Sequence, residues 1–408
     1  MNLILLLKED IAIVNGEAVA ALTGRKHRHC QQVLKVKVGA RVRVGVANGG
    51  VGEAEVISFD QEKTKIKLLQ RIDLMAAEVP SCGVELDILL AMTRPKVLER
   101  ILQLCAVVGV RRIFLVCAER TEKGFFSSSR LAAENLLEQL VLGLEQGMVT
   151  TPPELHAFAS WEGFMAATNA AAAKAAAEGA AGAAATAAAA AGTAAAGAET
   201  ETAESETKDA AARGSEGADP FSHYLLPPLR LVAHPHTQAT LPQLLLRPAA
   251  EAATQQQQQK QQQRTGVLLA VGPEGGWVPS EMQLLQQQLR CLPFRLTDKV
   301  LKCEAALTAC ITQLTLCYED PVLTPLLRSP DEVYKAAAAA AAAAVADDVG
   351  NGDAAEAAAQ PREVPRRQGE RETLRAPGGF LMTFPRRYTT RRDIPQQQQQ
   401  QQEEHESS

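Results

Sequence analysis

Along the first eighty residues, apolar side chains come in short runs that alternate with polar ones. Residues 3–7 are Leu-Ile-Leu-Leu-Leu, residues 33–38 run Val-Leu-Lys-Val-Lys-Val, and residues 40–46 alternate Arg with Val. The turn signal Asn48-Gly49-Gly50 follows, and residues 53–59 alternate again. Period-two alternation turns one side of a strand to a core and the other to water. Short strands spaced by turns predict a small β-barrel over residues 1–80. Residues 24–34 interrupt it as one short helix, with His29 and Val33 four apart.

Near residue 81 the period changes. Residues 84–92 are an apolar strand, and Thr93-Arg94-Pro95 opens a helix with proline in its first turn. Val97, Leu98, Ile101, Leu102, Cys105 and Val108 follow at helical spacing until Gly109, and residues 112–117 form the next strand. A strand–helix–strand unit predicts a parallel sheet in an α/β domain. A second helix spans residues 130–146 and ends at Gly147. Strands are expected at 229–233, 267–271 and 292–296, and helices at 279–289 and 298–317. The domain so outlined covers residues 81–320.

Three segments fall outside this pattern. Residues 166–219 are dominated by Ala, residues 249–264 by Ala and then Gln, and residues 321–408 by an Ala run, an Arg-rich stretch and a Gln run. Few aromatic or β-branched side chains are available there to offset chain entropy. The expectation is two disordered inserts and a low-complexity, disordered C-terminal tail.

Charge refines the picture. The chain has 42 Lys and Arg against 47 Asp and Glu, a net charge of −5. Residues 199–219 alone hold seven acids and two bases, which accounts for the whole excess. Residues 18–52 hold Arg25, Lys26, Arg28, Lys35, Lys37, Arg41 and Arg43 and no acid. Such a face suits a polyanion; the plainer alternative is a solvated strand surface. The eight Cys show no CxxC pair, so no metal site is expected, and Cys303, Cys310 and Cys317 repeat every seven residues along one side of a helix. Buried free thiols in a reducing compartment are the simpler reading. The apolar start is followed at once by Glu9 and Asp10, and no apolar run approaches the ~18–20 residues of a membrane span. With the first strand opening at the initiator Met, a cytoplasmic protein is expected, an organelle being possible.

Two segments carry candidate chemistry. The first is the apolar run 267–271 followed by Gly272-Pro-Glu-Gly-Gly276 and then a helix. Strand, glycine-rich turn and helix make a crevice at the carboxyl end of a parallel sheet, where glycines let backbone approach a ligand. No Lys-Ser or Lys-Thr follows, so this is not a phosphate-binding P-loop, and Glu274 favours a cationic or neutral ligand. An ordinary tight turn is the alternative. The second is Leu296-Thr-Asp-Lys-Val-Leu-Lys-Cys-Glu304, which joins the last strand to the last helix. Lys299, Lys302 and Glu304 there form either an ion-pair network or a catalytic group.

The order of five segments resembles a known family. His29-x-x-x-Val33-Leu34-Lys35, Arg94-Pro-Lys-Val-Leu-x-Arg100, Leu-Gly-Leu-Glu145-Gln146, Gly272-Pro-Glu-Gly-Gly276 and Val300-Leu-Lys-Cys-Glu304 together look like the 16S ribosomal RNA uracil-N3 methyltransferases of the SPOUT superfamily. The resemblance covers residues 1–320 apart from the inserts. It implies a PUA-like β-barrel, an α/β methyltransferase domain with a trefoil knot, and a homodimer. It also implies S-adenosylmethionine as cofactor, held by Val271, Gly272, Pro273, Glu274, Gly275 and Gly276 and by Leu296, Thr297, Val300 and Leu301. His234-Pro235 matches a further family segment. Arg25, Lys26, Arg28, His29, Lys35, Arg41 and Arg43 would contact small-subunit ribosomal RNA, whose phosphates position the substrate. Lys299 and Lys302 would stabilise a uracil anion, with Glu304 as orienting group or base.

The chain departs from the family where Thr297-Asp298-Lys299 replaces Gly-Pro-Arg, and where Lys302 and Ala305 replace Arg and Thr. Arg and Lys differ wherever a planar fork is used. A catalytically weakened RNA-binding or ribosome-assembly protein of the same fold is therefore the alternative function, and an unrelated α/β nucleotide enzyme a more distant one.

If the basic N-terminal stretch holds RNA, reversing charge at Arg41 and Arg43 weakens RNA binding and flattens its dependence on salt. A salt titration of affinity checks this; an unchanged slope identifies the two as solvated strand positions.

Overall fold

The computed structural model describes residues 3–76, 84–193, 224–248, 266–348, 371–376 and 380–385. The expected insert at 249–264 and residues 194–219 of the other insert lie outside them. The chain divides into two units, Met1–Ala159 with Pro228–Ser408, and Ser160–Pro227.

The first unit holds two sheets. Strands β1 (Ile4–Leu6), β2 (Ile11–Val14), β3 (Glu17–Leu22), β4 (Arg41–Val46), β5 (Val51–Phe59) and β6 (Thr64–Leu68) form a six-stranded sheet in the order β1-β4-β5-β6-β3-β2. Alternate side chains of β3, β4 and β6 are buried, as period two requires. Instead of a closed barrel, the sheet is a half-barrel: among the described residues no ladder joins β1 to β2. The amides of Leu3 and Leu5 are satisfied elsewhere, by the backbone oxygen and a side-chain oxygen of Glu145, at 3.1 and 3.3 Å. Residues 33–38, read as a strand from their alternation, lie between α1 (Gly24–Arg28), which runs on through a π-turn to Val33, and β4. Val33 and Val38 are 66% and 64% exposed and Lys35 has φ of +48°, so of the alternating valines only Val36 packs on the core.

The second sheet is built from β7 (Glu85–Ala91), β8 (Arg112–Val116), β9 (Glu154–Phe158), β10 (Leu229–Ala233), β11 (Gly266–Val271), β12 (Leu292–Phe294), β13 (Arg371–Ala376) and β14 (Phe380–Pro385), in the order β12-β10-β11-β7-β8-β9-β14-β13. Every ladder is parallel except β13–β14. Parallel strands are covered on both faces and so read as continuous apolar runs, which is why β7, β8, β10 and β11 were legible. Helices α2 (Pro95–Val108) and α3 (Ala133–Gly147) supply the crossovers β7–β8 and β8–β9. One sheet face, with Leu86, Ile88, Leu90, Ile113, Leu155 and Leu269, packs with Leu98, Leu102 and Leu140 of these helices in one core. At the amino end of the sheet, fully buried Asp87 is paired by Arg111 and Arg112.

After β10 comes the short helix α5 (Leu241–Leu245), and after β11 the turn α6 (Pro279–Gln283), continued by a π-turn. Helix α7 (Cys303–Glu319) starts later than expected, because residues 298–302 form a loop, and it buries Cys303, Cys310 and Cys317 on one stripe. All three are free thiols, and burial pushes Cys310 up to about 12.

The expected low-complexity tail contains ordered elements. Helix α8 (Pro330–Asp348) buries Val333, and β14 adds to the sheet beside β9 with Met382 buried in the same core. The disordered-tail expectation is corrected for residues 321–348, 371–376 and 380–385, the rest of the tail lying outside the described residues: composition averaged over the whole tail hid the short apolar run at 380–385. In the second unit, α4 (Trp161–Thr193) runs without a break into the expected Ala-rich insert and buries Phe164, Met165, Thr168 and Ala171, one helical face. Among the described residues no helix is long and apolar enough to cross a membrane.

Helices α2 and α3 approach so closely that a Cβ on Gly143 would lie 2.4 Å from the Gln103 carbonyl oxygen. Gly143→Ala is expected to force the helices apart and cost ~1–3 kcal/mol. Gly124→Ala, whose Cβ would meet nothing closer than 3.9 Å, serves as control. Denaturant unfolding checks the pair; equal stabilities would contradict the close packing.

Candidate active site

Strand order reverses beside β7. The chain builds β8 and β9 on one side of it, and places β11, β10 and β12 on the other. Loops leaving β7 and β11 at their carboxyl ends therefore diverge and open a crevice, the position where open α/β sheets bind ligands.

The glycine-rich turn follows β11 directly. Gly276 has φ of +72°, where a side chain would be strained, and its amide donates to the Pro273 carbonyl at 2.8 Å. Gly272 lies against Trp277: a Cβ on it would fall 3.2 Å from the indole Nε1. Gly275 lies against Arg120, whose Cβ would be 3.1 Å from an added methyl and whose Nη1 donates to the Gly275 carbonyl at 2.6 Å. So the turn is braced from the loop after β8. From the loop after β7, the Arg94 amide donates to the Glu274 carboxylate at 3.2 Å. Buried Glu281 adds a further brace, accepting from the amides of Val278 at 3.0 Å and Glu119 at 2.8 Å. At the end of β7 itself, Thr93 is fully buried, and its hydroxyl has no hydrogen-bond partner among the described residues.

The second loop, residues 296–302, reaches the same place. The Cys303 thiol at the start of α7 donates to the Gly272 carbonyl at 3.2 Å. Burial and the neighbouring Glu274 charge push this thiol up to about 11, so it stays protonated and remains a donor. Leu296 packs on the main core, whereas Val300 and Leu301 are 80% and 38% exposed. Thr297 donates to Asp298 at 3.0 Å and accepts from the Lys299 amide at 3.3 Å. The Lys299 ammonium lies 3.1 Å from Asp298, and hydrogen bonds from Lys299 and Thr297 hold that carboxyl below its usual range.

Lys299, Lys302 and Glu304 do not form one network. Glu304 accepts from both Nε and Nη2 of Arg100 on α2, each at 2.7 Å. Lys302 caps α7 with its backbone, accepting from the Ala306 amide at 2.8 Å, and is itself exposed. His234 follows β10; its amide donates to Phe294 at 2.9 Å and its ring meets His236 edge-on at 5.6 Å. Burial, and then the His236 charge, lower its pKa.

The N-terminal bases are less uniform than their sequence. Arg25 lies 2.6 Å from buried Glu145, Lys26 3.7 Å from Asp10, and Arg41 3.4 Å from Glu53. Arg43 meets the Met148 sulfur at 3.1 Å. Arg28, Lys35 and Lys37 are exposed, and His29 is half-buried. Acids distant in sequence thus neutralise part of a stretch that has none of its own. Sequence reading missed Thr93, Arg120 and Glu281, since only the fold brings the loops after β7 and β8 to the glycine turn.

Comparison with known proteins bears on this geometry. A family model described as an RNA methyltransferase domain matches residues 80–218 and 228–315, more than half of the chain. The ribosomal RNA small subunit methyltransferase E of Treponema pallidum (strain Nichols) is 30% identical over 154 residues, which is 38% of this chain and 55% of that protein. The matched stretch thus spans about half the length of that relative. Among solved structures, the methyltransferase Lpg2936 of Legionella pneumophila, with S-adenosylmethionine bound, has a TM-score of 0.48 at 16% identity, covering 78% of this chain and 98% of that one. The ribosomal RNA small subunit methyltransferase E of Neisseria gonorrhoeae, also with S-adenosylmethionine, has a TM-score of 0.47 at 16% identity, covering 77% and 96%. With the family model spanning both crossovers and both crevice loops, the chain belongs to the RNA methyltransferase domain family.

Proposed function

We propose that this chain is an S-adenosylmethionine-dependent methyltransferase that acts on N3 of a uridine in small-subunit ribosomal RNA. The observation that carries the reading is the meeting of the glycine-rich turn with loop 296–302 at the reversal of strand order, in a chain of an RNA methyltransferase family. The target follows the name of the Treponema relative and the motif resemblance.

The crevice suits this cofactor on its own chemistry. No cationic P-loop residue follows the glycines, and Glu274 stands near Cys303, which favours a cationic or neutral ligand over a phosphate-rich one. The buried Thr93 hydroxyl, just beyond the carboxyl end of β7, is a polar atom without a partner among the described residues. Residues 271–276 together with Leu296, Thr297, Val300 and Leu301 would hold the ligand. When bound, it supplies an electrophilic methyl group.

The protein's own task is to hold a uracil as its N3 proton passes to water and the N3–C bond to the incoming methyl group forms. An unstacked base costs a few kcal/mol, repaid by contacts in the site. A preorganised cation stabilises the resulting anion. Lys302 fits that role better than Lys299, whose ammonium already faces Asp298. Glu304, held by Arg100, fixes the start of α7 and thereby Lys302. The exposed Arg28, Lys35 and Lys37 hold RNA phosphates.

The return of the chain from β12 at the sheet edge to α7, which packs on α2 and β11, supports a knotted crossing of the two crevice loops. The exposed apolar Val300 and Leu316 support a homodimer.

Calorimetry on the full chain is expected to show one S-adenosylmethionine per chain, and Gly275→Val to lower affinity at least tenfold by displacing Arg120. In an Arg120→Ala background the same substitution costs less, because the clash partner is gone. Lys302→Ala is expected to reduce methyl transfer ~100-fold while cofactor affinity stays within twofold. A parent chain that binds RNA without binding the cofactor would support the non-catalytic alternative instead.

A further inference from the structure

Resting on the RNA methyltransferase reading, we propose that Arg120 couples RNA to the cofactor. It takes a phosphate of the RNA while it holds the glycine-rich turn, so each of the two binds more tightly once the other is in place. Three consecutive residues of the loop after β8 carry this, each tied to a different part of the crevice. The Glu119 amide donates to Glu281 at 2.8 Å, and the other oxygen of that carboxylate accepts from the Val278 amide at 3.0 Å. Arg120 Nη1 donates to the Gly275 carbonyl at 2.6 Å. The Thr121 hydroxyl donates at 3.1 Å to the carbonyl of Met92, just past the end of β7. Glu281 and Thr121 are buried, whereas Arg120 is exposed.

The anchors on either side fix the backbone of Arg120, and its side chain runs along the turn. A methyl added at Gly275 would lie 3.1 Å from its Cβ and 3.2 Å from its Cδ. A guanidinium carries five N–H donors in a planar fork. In Arg120 one of them is used by a neutral carbonyl, and among the described residues no carboxylate lies within ion-pair distance of the group, those of Glu119 and Glu122 in the same loop included. By contrast, Arg100 and Arg130 are closed by Glu304 and Glu99. The Nη2–Nε edge of the fork pairs with an oxyanion in bidentate fashion, and it is not the group that holds Gly275. Both contacts can therefore be made at once, which sets the sign of the coupling. A phosphate that pins this rotamer also holds the turn, so the turn is partly ordered before the cofactor arrives.

A brace for the turn would by itself explain the Gly275 contact. A brace needs only one neutral donor, however, and Glu281 already ties the same loop to the residue after Trp277. The charge and the fork of an exposed arginine at the crevice rim add what a brace does not require, a group shaped for phosphate.

Calorimetry on the full chain measures the affinity of S-adenosylhomocysteine, which has no methyl group to transfer, with and without a saturating folded small-subunit ribosomal RNA transcript. RNA affinity is followed between about 50 and 200 mM salt. In the parent, RNA is expected to raise the affinity of S-adenosylhomocysteine about five- to tenfold. In Arg120→Ala that enhancement disappears, whatever the affinity without RNA, and the log–log salt slope of RNA binding falls by ~1. Arg120→Lys keeps the slope, because it keeps the charge, but loses the enhancement, because an ammonium lacks the second edge. Melting temperatures of both variants stay at the parent's value, the side chain being exposed. An enhancement in Arg120→Ala equal to the parent's would overturn the proposal, as would a parent chain that binds RNA and S-adenosylhomocysteine independently. A parent that binds RNA but neither S-adenosylmethionine nor S-adenosylhomocysteine would refute the methyltransferase reading itself, and the coupling with it.

Discussion

Parallel pairing of β7 with both β11 and β8 is the constraint on which the rest of the molecule depends. A strand flanked in this way sits where connections to either side must diverge. β7 and β11 are paired over six residues, from Glu85–Gly266 to Leu90–Val271, so their carboxyl ends are level and both loops leave from one line. Everything assigned to the crevice hangs from that line: Thr93 and Arg94 from β7, the glycine turn from β11, and Arg120 from β8 next door. The ends of the same strands at the other side of the sheet carry the buried Asp87–Arg112 pair, which exposed Arg111 joins. Arg111 also meets Glu85 at 2.6 Å, while at the crevice end the buried Thr93 hydroxyl has no hydrogen-bond partner among the described residues.

A second dependence runs from helix packing to the N-terminal sheet. Gly143 and Gly147 let α3 lie against the backbone of α2. That placement puts Glu145 next to β1, where it satisfies Leu3 and Leu5 and pairs with Arg25. Thr150 just beyond continues the junction, its hydroxyl donating to Gly49 at 2.7 Å and its carbonyl accepting from Asn48 at 2.8 Å. The basic half-barrel is thereby held to the domain that carries the crevice through the motif Leu-Gly-Leu-Glu145-Gln146. One member of the basic stretch, Arg25, works as an internal counterion rather than a surface charge.

Sequence showed the parallel sheet because strands buried on both faces advertise themselves as apolar runs. It missed β9, where Glu154 and His156 break the run; buried His156 meets a glutamate and a threonine that sequence could not place beside it. It read strand into residues 33–38, where of the alternating valines only Val36 meets the core. Averaged composition concealed β14, and the length of the Ala run concealed the buried face at the start of α4. The two crevice loops were legible as segments, because glycine clusters and strand–helix junctions are local signals. Their braces were not: Arg120 and Gly275 are 155 residues apart, and Arg100 and Glu304 are 204 apart. The same distance effect neutralised bases that looked free in sequence.

The central claim is that the two loops at the ends of β11 and β12 form one ligand site with the end of β7. Hydrogen exchange with and without S-adenosylmethionine tests it most directly, since it locates binding without substitutions. The account predicts slowed exchange in peptides covering residues 92–94, 272–277 and 296–303, with the amino end of the sheet unchanged. Protection confined to other segments, or no protection at saturating cofactor, would contradict it.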